Sequence, residues 1–133
     1  MKVLERIKLE YGDFHDALVV NFKYDSGFDY STKEITIDKI KIRISCFNLN
    51  KKFSESNELI ELICTDINYL NFSKPNSMIF QAFIEKNENE YILDFDPIIT
   101  SDRETGKDLI SKENENSSFI VKCNKIEFNI LEQ

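Results

Sequence analysis

From Ala17 to Tyr24, the residues Leu18, Val20, Phe22 and Tyr24 alternate with Val19, Asn21 and Lys23. Alternation with a period of two sends successive side chains to opposite faces, so the stretch predicts a strand. Asp25-Ser26-Gly27 then supplies turn chemistry. The clearest signal runs from Glu34 to Phe47. Ile35 and Ile37 alternate first, and Ile40, Ile42, Ile44 and Cys46 then alternate in the opposite parity, with Lys39, Lys41, Arg43 and Ser45 on the other face. One apolar and one wet face fit an antiparallel sheet. The parity slip at Asp38-Lys39 predicts a bulge or a tight turn, because one inserted residue exchanges the faces.

Weaker patterns flank these. Val3, Leu4, Ile7 and Leu9 fit a short helix or an edge strand. Asn48 to Glu58 reads as a polar loop, and Leu59 to Phe72 as one long strand or a pair, broken by Ser73-Lys74-Pro75-Asn76. Ser77 to Lys86 suits either period and is assigned to strand, because β-rich neighbours need pairing partners. Asn87-Glu88-Asn89-Glu90 predicts a hairpin turn into a strand from Tyr91 to Phe95, closed by Asp96-Pro97. Thr100 to Ser117 is the longest predicted loop, with a helical turn near Asp108 to Ser111. Phe119 to Cys123 and Ile126 to Leu131 read as short strands joined by a turn at Asn124-Lys125.

About seven to nine short strands with short connections give an all-β fold. The expected architecture is an antiparallel β-sandwich or a curled, partly closed sheet with one short helix, in a single domain over 1–133. Composition agrees. Phe is abundant at 11 residues while Trp is absent, and Gly and Pro number only 3 and 2, which leaves most turns to Asn, Asp and Ser.

The net charge of −7 repels phosphate backbones and anionic membranes, so nucleic-acid and membrane partners are not expected. It suits solubility, and also a basic protein partner. No stretch approaches the roughly 20 apolar residues of a membrane helix, and the start lacks the apolar core of a signal peptide, so a cytoplasmic location is expected. Cys46, Cys64 and Cys123 are odd in number and lack framework or zinc spacing, which predicts small, reduced, buried hydrophobes.

Catalytic chemistry finds little support. His15 is the only histidine. Asp16 follows it directly, and on a strand the two would point to opposite faces. No nucleophile elbow accompanies them. Gly12, Gly27 and Gly106 are too scattered for a phosphate loop, and the carboxylates Asp94, Asp96 and Asp102 follow no calcium-loop pattern, so no cofactor or metal is expected. Lys39, Lys41 and Arg43 form a basic stripe on one strand face, read as an ordinary polar sheet surface. The denser cluster is acidic: Glu85, Glu88, Glu90, Asp94 and Asp96, with Tyr91 among them, form the candidate partner-binding stretch, which ends at Asp102. Such a face favours a basic partner by raising the association rate.

Two segments carry a resemblance. Phe14-His15-Asp16-Ala17 precedes an alternating strand, and Ile60-Glu61-Leu62-Ile63-Cys64 runs on to Ile67, with a late strand Tyr91 to Phe95 ending in Asp96. Over about half of the chain, this resembles the small immunity proteins of bacterial polymorphic-toxin systems. The resemblance implies a cytosolic, non-enzymatic protein that binds and blocks a cognate toxin. It assigns no site residues, because the shared positions look structural. A regulatory or structural interaction module is the alternative expectation.

Overall fold

The structure is a computed structural model that describes residues 2–73, 78–101 and 109–132. Helix α1 (Val3–Tyr11) comes first, followed by a 3-10 turn at Gly12–Phe14. The strands are β1 (Ala17–Asp25), β2 (Phe28–Asp29), β3 (Glu34–Ile35), β4 (Lys39–Phe47), β5 (Asn57–Phe72), β6 (Met78–Ile79), β7 (Phe83–Asn87), β8 (Glu90–Asp94), β9 (Ile98–Ser101), β10 (Leu109–Lys112) and β11 (Phe119–Glu132). Seven of them form one antiparallel sheet in the order β6-β1-β4-β5-β11-β8-β7, while β2–β3 and β9–β10 are separate hairpins.

This is the curled, partly closed sheet, not a barrel. Its edges, β6 and β7, are separated in the chain only by Phe80, Gln81 and Ala82. Four peptide steps span at most about 14 Å, so the two edges are forced close together. They do not pair with each other. The segment after α1 lies between them instead: Ala82 N–H donates to the Asp13 carbonyl, and Asp16 N–H to that of Phe80.

The curl is made in β5 and β11. Asp66 sits in the left-handed region at φ 62° and kinks β5. β4 begins at Lys39, so the Asp38 carbonyl and carboxylate receive the N–H groups of Asp66 and Ile67 at 2.9 Å each. Beyond the kink the sheet turns back on itself. Phe22 of β1 stacks on Phe72 at the far end of β5, 4.2 Å between centroids, and Phe119 and Phe95 complete the cluster. The interior continues through Ile40, Ile42 and Ile44 of β4 and Ile60, Leu62 and Cys64 of β5, all fully buried. Helix α1 has apolar residues at helical spacing and lays Ile7 and Tyr11 on this interior. Gly12, at φ 56°, ends it with an N–H bond to the Ile7 carbonyl.

Of the two readings of Val3 to Leu9, the structure takes the helix. Several other expectations change. Asn124-Lys125 is no turn, because β11 runs unbroken from Phe119 to Glu132 beside the long β5, with register shifts at Lys122/Cys123 and Ile130/Glu132. The Asn124 side chain, which read as a turn signal, donates to Asp66 at the kink. Within the predicted loop from Thr100 to Ser117, Thr100 and Ser101 belong to β9 and Leu109 to Lys112 to β10, which pair with each other. Leu109 to Ser111 are strand, not a helical turn, while Asp108 lies outside the described residues. The stretch from Ser77 to Lys86, assigned to strand, is strand at Met78–Ile79 and again from Phe83, interrupted at Phe80, Gln81 and Ala82, and β7 runs one residue further, to Asn87. Residues 74–77 and 102–108, including Lys74-Pro75-Asn76 and Asp102, lie outside the described residues. The parity slip at Asp38-Lys39 separates two strands: Ile35 belongs to the β2–β3 hairpin, and both Ile35 and Ile37 are exposed instead of facing the core.

Candidate partner-binding surfaces

The acidic stretch does not form one face. Glu85, on edge strand β7, pairs with Lys8 of α1 at 2.5 Å. With Tyr91 and Lys86 it lines a cleft of about 570 Å³ between α1 and the β7–β8 hairpin. Glu88 is at the tip of that hairpin, in the left-handed region at φ 55°. Glu90 accepts a hydrogen bond from Asn68 and opens onto a second groove, of about 510 Å³, where it joins Glu113 and Glu115.

At the other end of β8, Asp94 is fully buried. It accepts the Ser117 hydroxyl at 2.6 Å and the N–H groups of Asn114 and Asp96 at 2.8 and 2.9 Å. Burial raises its carboxyl above the ordinary value, and these hydrogen bonds offset only part of that. Asp96 accepts from the N–H and hydroxyl of Ser118. Asp94 and Asp96 thus staple the 114–118 segment to the sheet. The structure brings Glu85 together with Tyr91 and separates both from Glu90, Asp94 and Asp96.

A second buried carboxylate is one that the sequence did not single out. Glu58 takes a core position in β5, opposite Cys46, and is buried. It accepts Tyr11 Oη at 2.6 Å, Asn48 Nδ2 at 3.1 Å and Lys51 Nζ at 2.9 Å. Burial disfavours its charge, but the three donors outweigh that and hold the carboxyl below its ordinary value. Burial, with some help from Glu58, in turn pushes the Cys46 thiol up to about 12. With donors on both oxygens, Glu58 ties α1 and the 48–51 loop to the sheet. All three cysteines are free and buried, as expected.

His15 Nδ1 lies 3.1 Å from Asp16 Oδ2. This corrects the expectation that neighbours cannot meet: the pair precedes β1, and Asp16 has a left-handed backbone, φ 60°. A cleft of about 360 Å³ adjoins them, lined also by Asn48, Lys51, Phe53 and Ser56. The Ser56 hydroxyl is committed to the Phe53 carbonyl. Among the described residues no three His, Cys, Asp or Glu side chains gather as metal ligands, and no helix is long and apolar enough to cross a membrane.

The strongest surface feature is the β2–β3 hairpin. It stands apart from the main sheet, and its large apolar side chains are not covered. Tyr30 is 78% and Ile35 80% exposed, with Phe28 and Ile37 also exposed. Phe28 and Ile35 face each other across the ladder, so they share one side. A two-stranded hairpin is marginal alone, yet this one is braced at both ends. At the tip, Asp29 Oδ1 accepts the N–H and hydroxyl of Ser31, and Lys33 Nζ sits over the Tyr30 ring. At the base, the Thr36 N–H and hydroxyl both reach the Gly27 carbonyl. Gly27 has φ 80°, and a Cβ there would meet the Thr36 carbonyl oxygen at 2.4 Å, so only glycine fits. Within residues 25–38, Asp25, Asp29, Glu34 and Asp38 accompany the apolar residues, and Lys33 is the one cation of that segment.

No known protein family, curated protein or solved structure matches the chain. The site must be read from its own geometry. The sequence shows the Asp25-Ser26-Gly27 turn, but not that Ile35 and Ile37 would be left in water. Runs of apolar alternation read as core until the neighbouring strands are known.

Proposed function

We propose that this chain is a non-enzymatic protein-binding domain and, most concretely, an immunity-type protein that neutralises a basic toxin domain in the bacterial cytoplasm. The β2–β3 hairpin carries the reading. Exposed apolar side chains on a pre-formed element are what an interface needs, because little ordering remains to be done on binding. Tyr30 and Phe28 are the aromatic type that dominates binding energies. The surrounding carboxylates and the net charge of −7 favour a basic partner. The resemblance to immunity proteins supplies the kind of partner.

Co-expression tests the reading. A toxin domain from the adjoining reading frame should arrest growth alone and be tolerated with this chain, and the purified pair should co-elute with the toxin activity lost. A toxin that keeps full activity in the presence of excess folded chain overturns the toxin-neutralising form of the proposal.

A further inference from the structure

The basic stripe on β4 has a context that recognition of a basic partner does not use. β1 and β4 pair so that Lys23 lies directly opposite Lys41, and Asp25 opposite Lys39. These positions alternate with the buried Ile40 and Ile42, so they lie on the outer face of the sheet. Like charges directly opposed disfavour a ladder. The neighbouring cations on this face are neutralised: Arg43 Nε donates to Glu61 at 3.0 Å, and Lys125 Nζ pairs with Glu127 at 3.0 Å. Lys23, Lys39 and Lys41 make no ion pair among the described residues. They line, with Asp25, one small pocket of about 90 Å³.

We propose that this pocket binds a dianionic tetrahedral oxyanion, either inorganic phosphate or the phosphate group of a monoester. Three ammonium groups and one carboxylate leave a surplus of two positive charges, which matches a dianion better than a single carboxylate. Each ammonium brings three donors on a flexible stem and adapts to tetrahedral oxygens. The volume is enough for one such group. The pocket sits at the foot of the β2–β3 hairpin, between the residues where β1 leaves the sheet and β4 returns. A bound anion would relieve the Lys23–Lys41 repulsion and brace the base of the hairpin. The inference does not depend on the toxin reading, and its test needs no partner.

The test is a titration of the isotopically labelled chain with sodium phosphate at ionic strength held constant with chloride, following the lysine ε-methylene resonances. The expected result is a saturable shift of Lys23, Lys39 and Lys41, with a higher melting temperature in phosphate. Lys41→Gln should weaken binding by about ten-fold or more. Without phosphate, that variant should melt no lower than wild type, because the opposed charges are gone, and this separates loss of a site from loss of the fold. Phosphoserine, titrated in parallel, distinguishes the sources: tighter binding than phosphate assigns an ester, and weaker binding the free ion. Shifts that grow without saturating, that chloride reproduces, or that persist in Lys41→Gln overturn the proposal.

Discussion

Tyr11→Phe isolates the hydrogen bond that ties the helix to the buried carboxylate. The substitution keeps the ring, which packs 6.1 Å from Phe14 and 5.5 Å from Phe128 between centroids, and removes only the hydroxyl that donates to Glu58. A hydrogen bond to a charged acceptor is worth about 1.5–3 kcal/mol, and here its loss leaves a buried carboxylate with two donors instead of three. In a chain of this size each kcal/mol moves the midpoint by about 3–5 °C, so the thermal midpoint at pH 7 should fall by about 5–15 °C. The pH dependence supplies a sharper check. Glu58 is held below its ordinary value of 4.5 in the folded chain. The folded state therefore binds its proton less readily than the unfolded state. The stabilisation it gives is complete above 4.5 and is lost as the pH falls through the lower, folded value. Urea unfolding of wild type and Tyr11→Phe between pH 7 and pH 3 should show a stability gap that is constant at the upper end and narrows below about pH 4.5. A gap below about 0.5 kcal/mol at pH 7, or one that does not narrow in acid, would refute the reasoning.

Ser117→Ala removes a buried donor to Asp94 and should destabilise by about 1–3 kcal/mol in the same assay, whereas Ser118→Ala, at an exposed bond, should cost much less. Glu88→Gly places glycine where φ is 55° and should stabilise the fold by about 0.5–1 kcal/mol, read as a higher denaturation midpoint. Because Cys46, Cys64 and Cys123 are buried, a thiol reagent should label none of them rapidly in the native chain and all three after denaturation; prompt native labelling of two would contradict their packing.

Local pattern served the fold well wherever burial and strand period coincide. Ile40, Ile42, Ile44 and Cys46 are one row of the interior, as their alternation requires. It failed where a distant strand decides the outcome. Asn124 looks like a turn residue, but β5 continues alongside and Asp66 satisfies its amide, so the strand runs on. His15 and Asp16 meet because a left-handed residue replaces strand geometry, a choice that neither side chain announces. The candidate surfaces were less legible than the sheet. Asp94 and Glu85 are both acidic, yet one is buried under Ser117 and the other is paired with Lys8 of the distant helix α1. Exposure of Phe28, Tyr30, Ile35 and Ile37 follows from the hairpin's place outside the sheet order, which depends on every other pairing.

Affinity for the toxin domain that the proposed function requires, measured for wild type and for a Tyr30→Ala/Ile35→Ser double variant, tests the hairpin directly. Both side chains are exposed, so the variant should melt at the wild-type temperature within about 2 °C. Loss of two anchors worth about 1–2 kcal/mol each should weaken binding by roughly 30-fold or more, mainly through faster dissociation. An unchanged dissociation constant, with the variant folded, would contradict the assignment of the β2–β3 hairpin as the contact element.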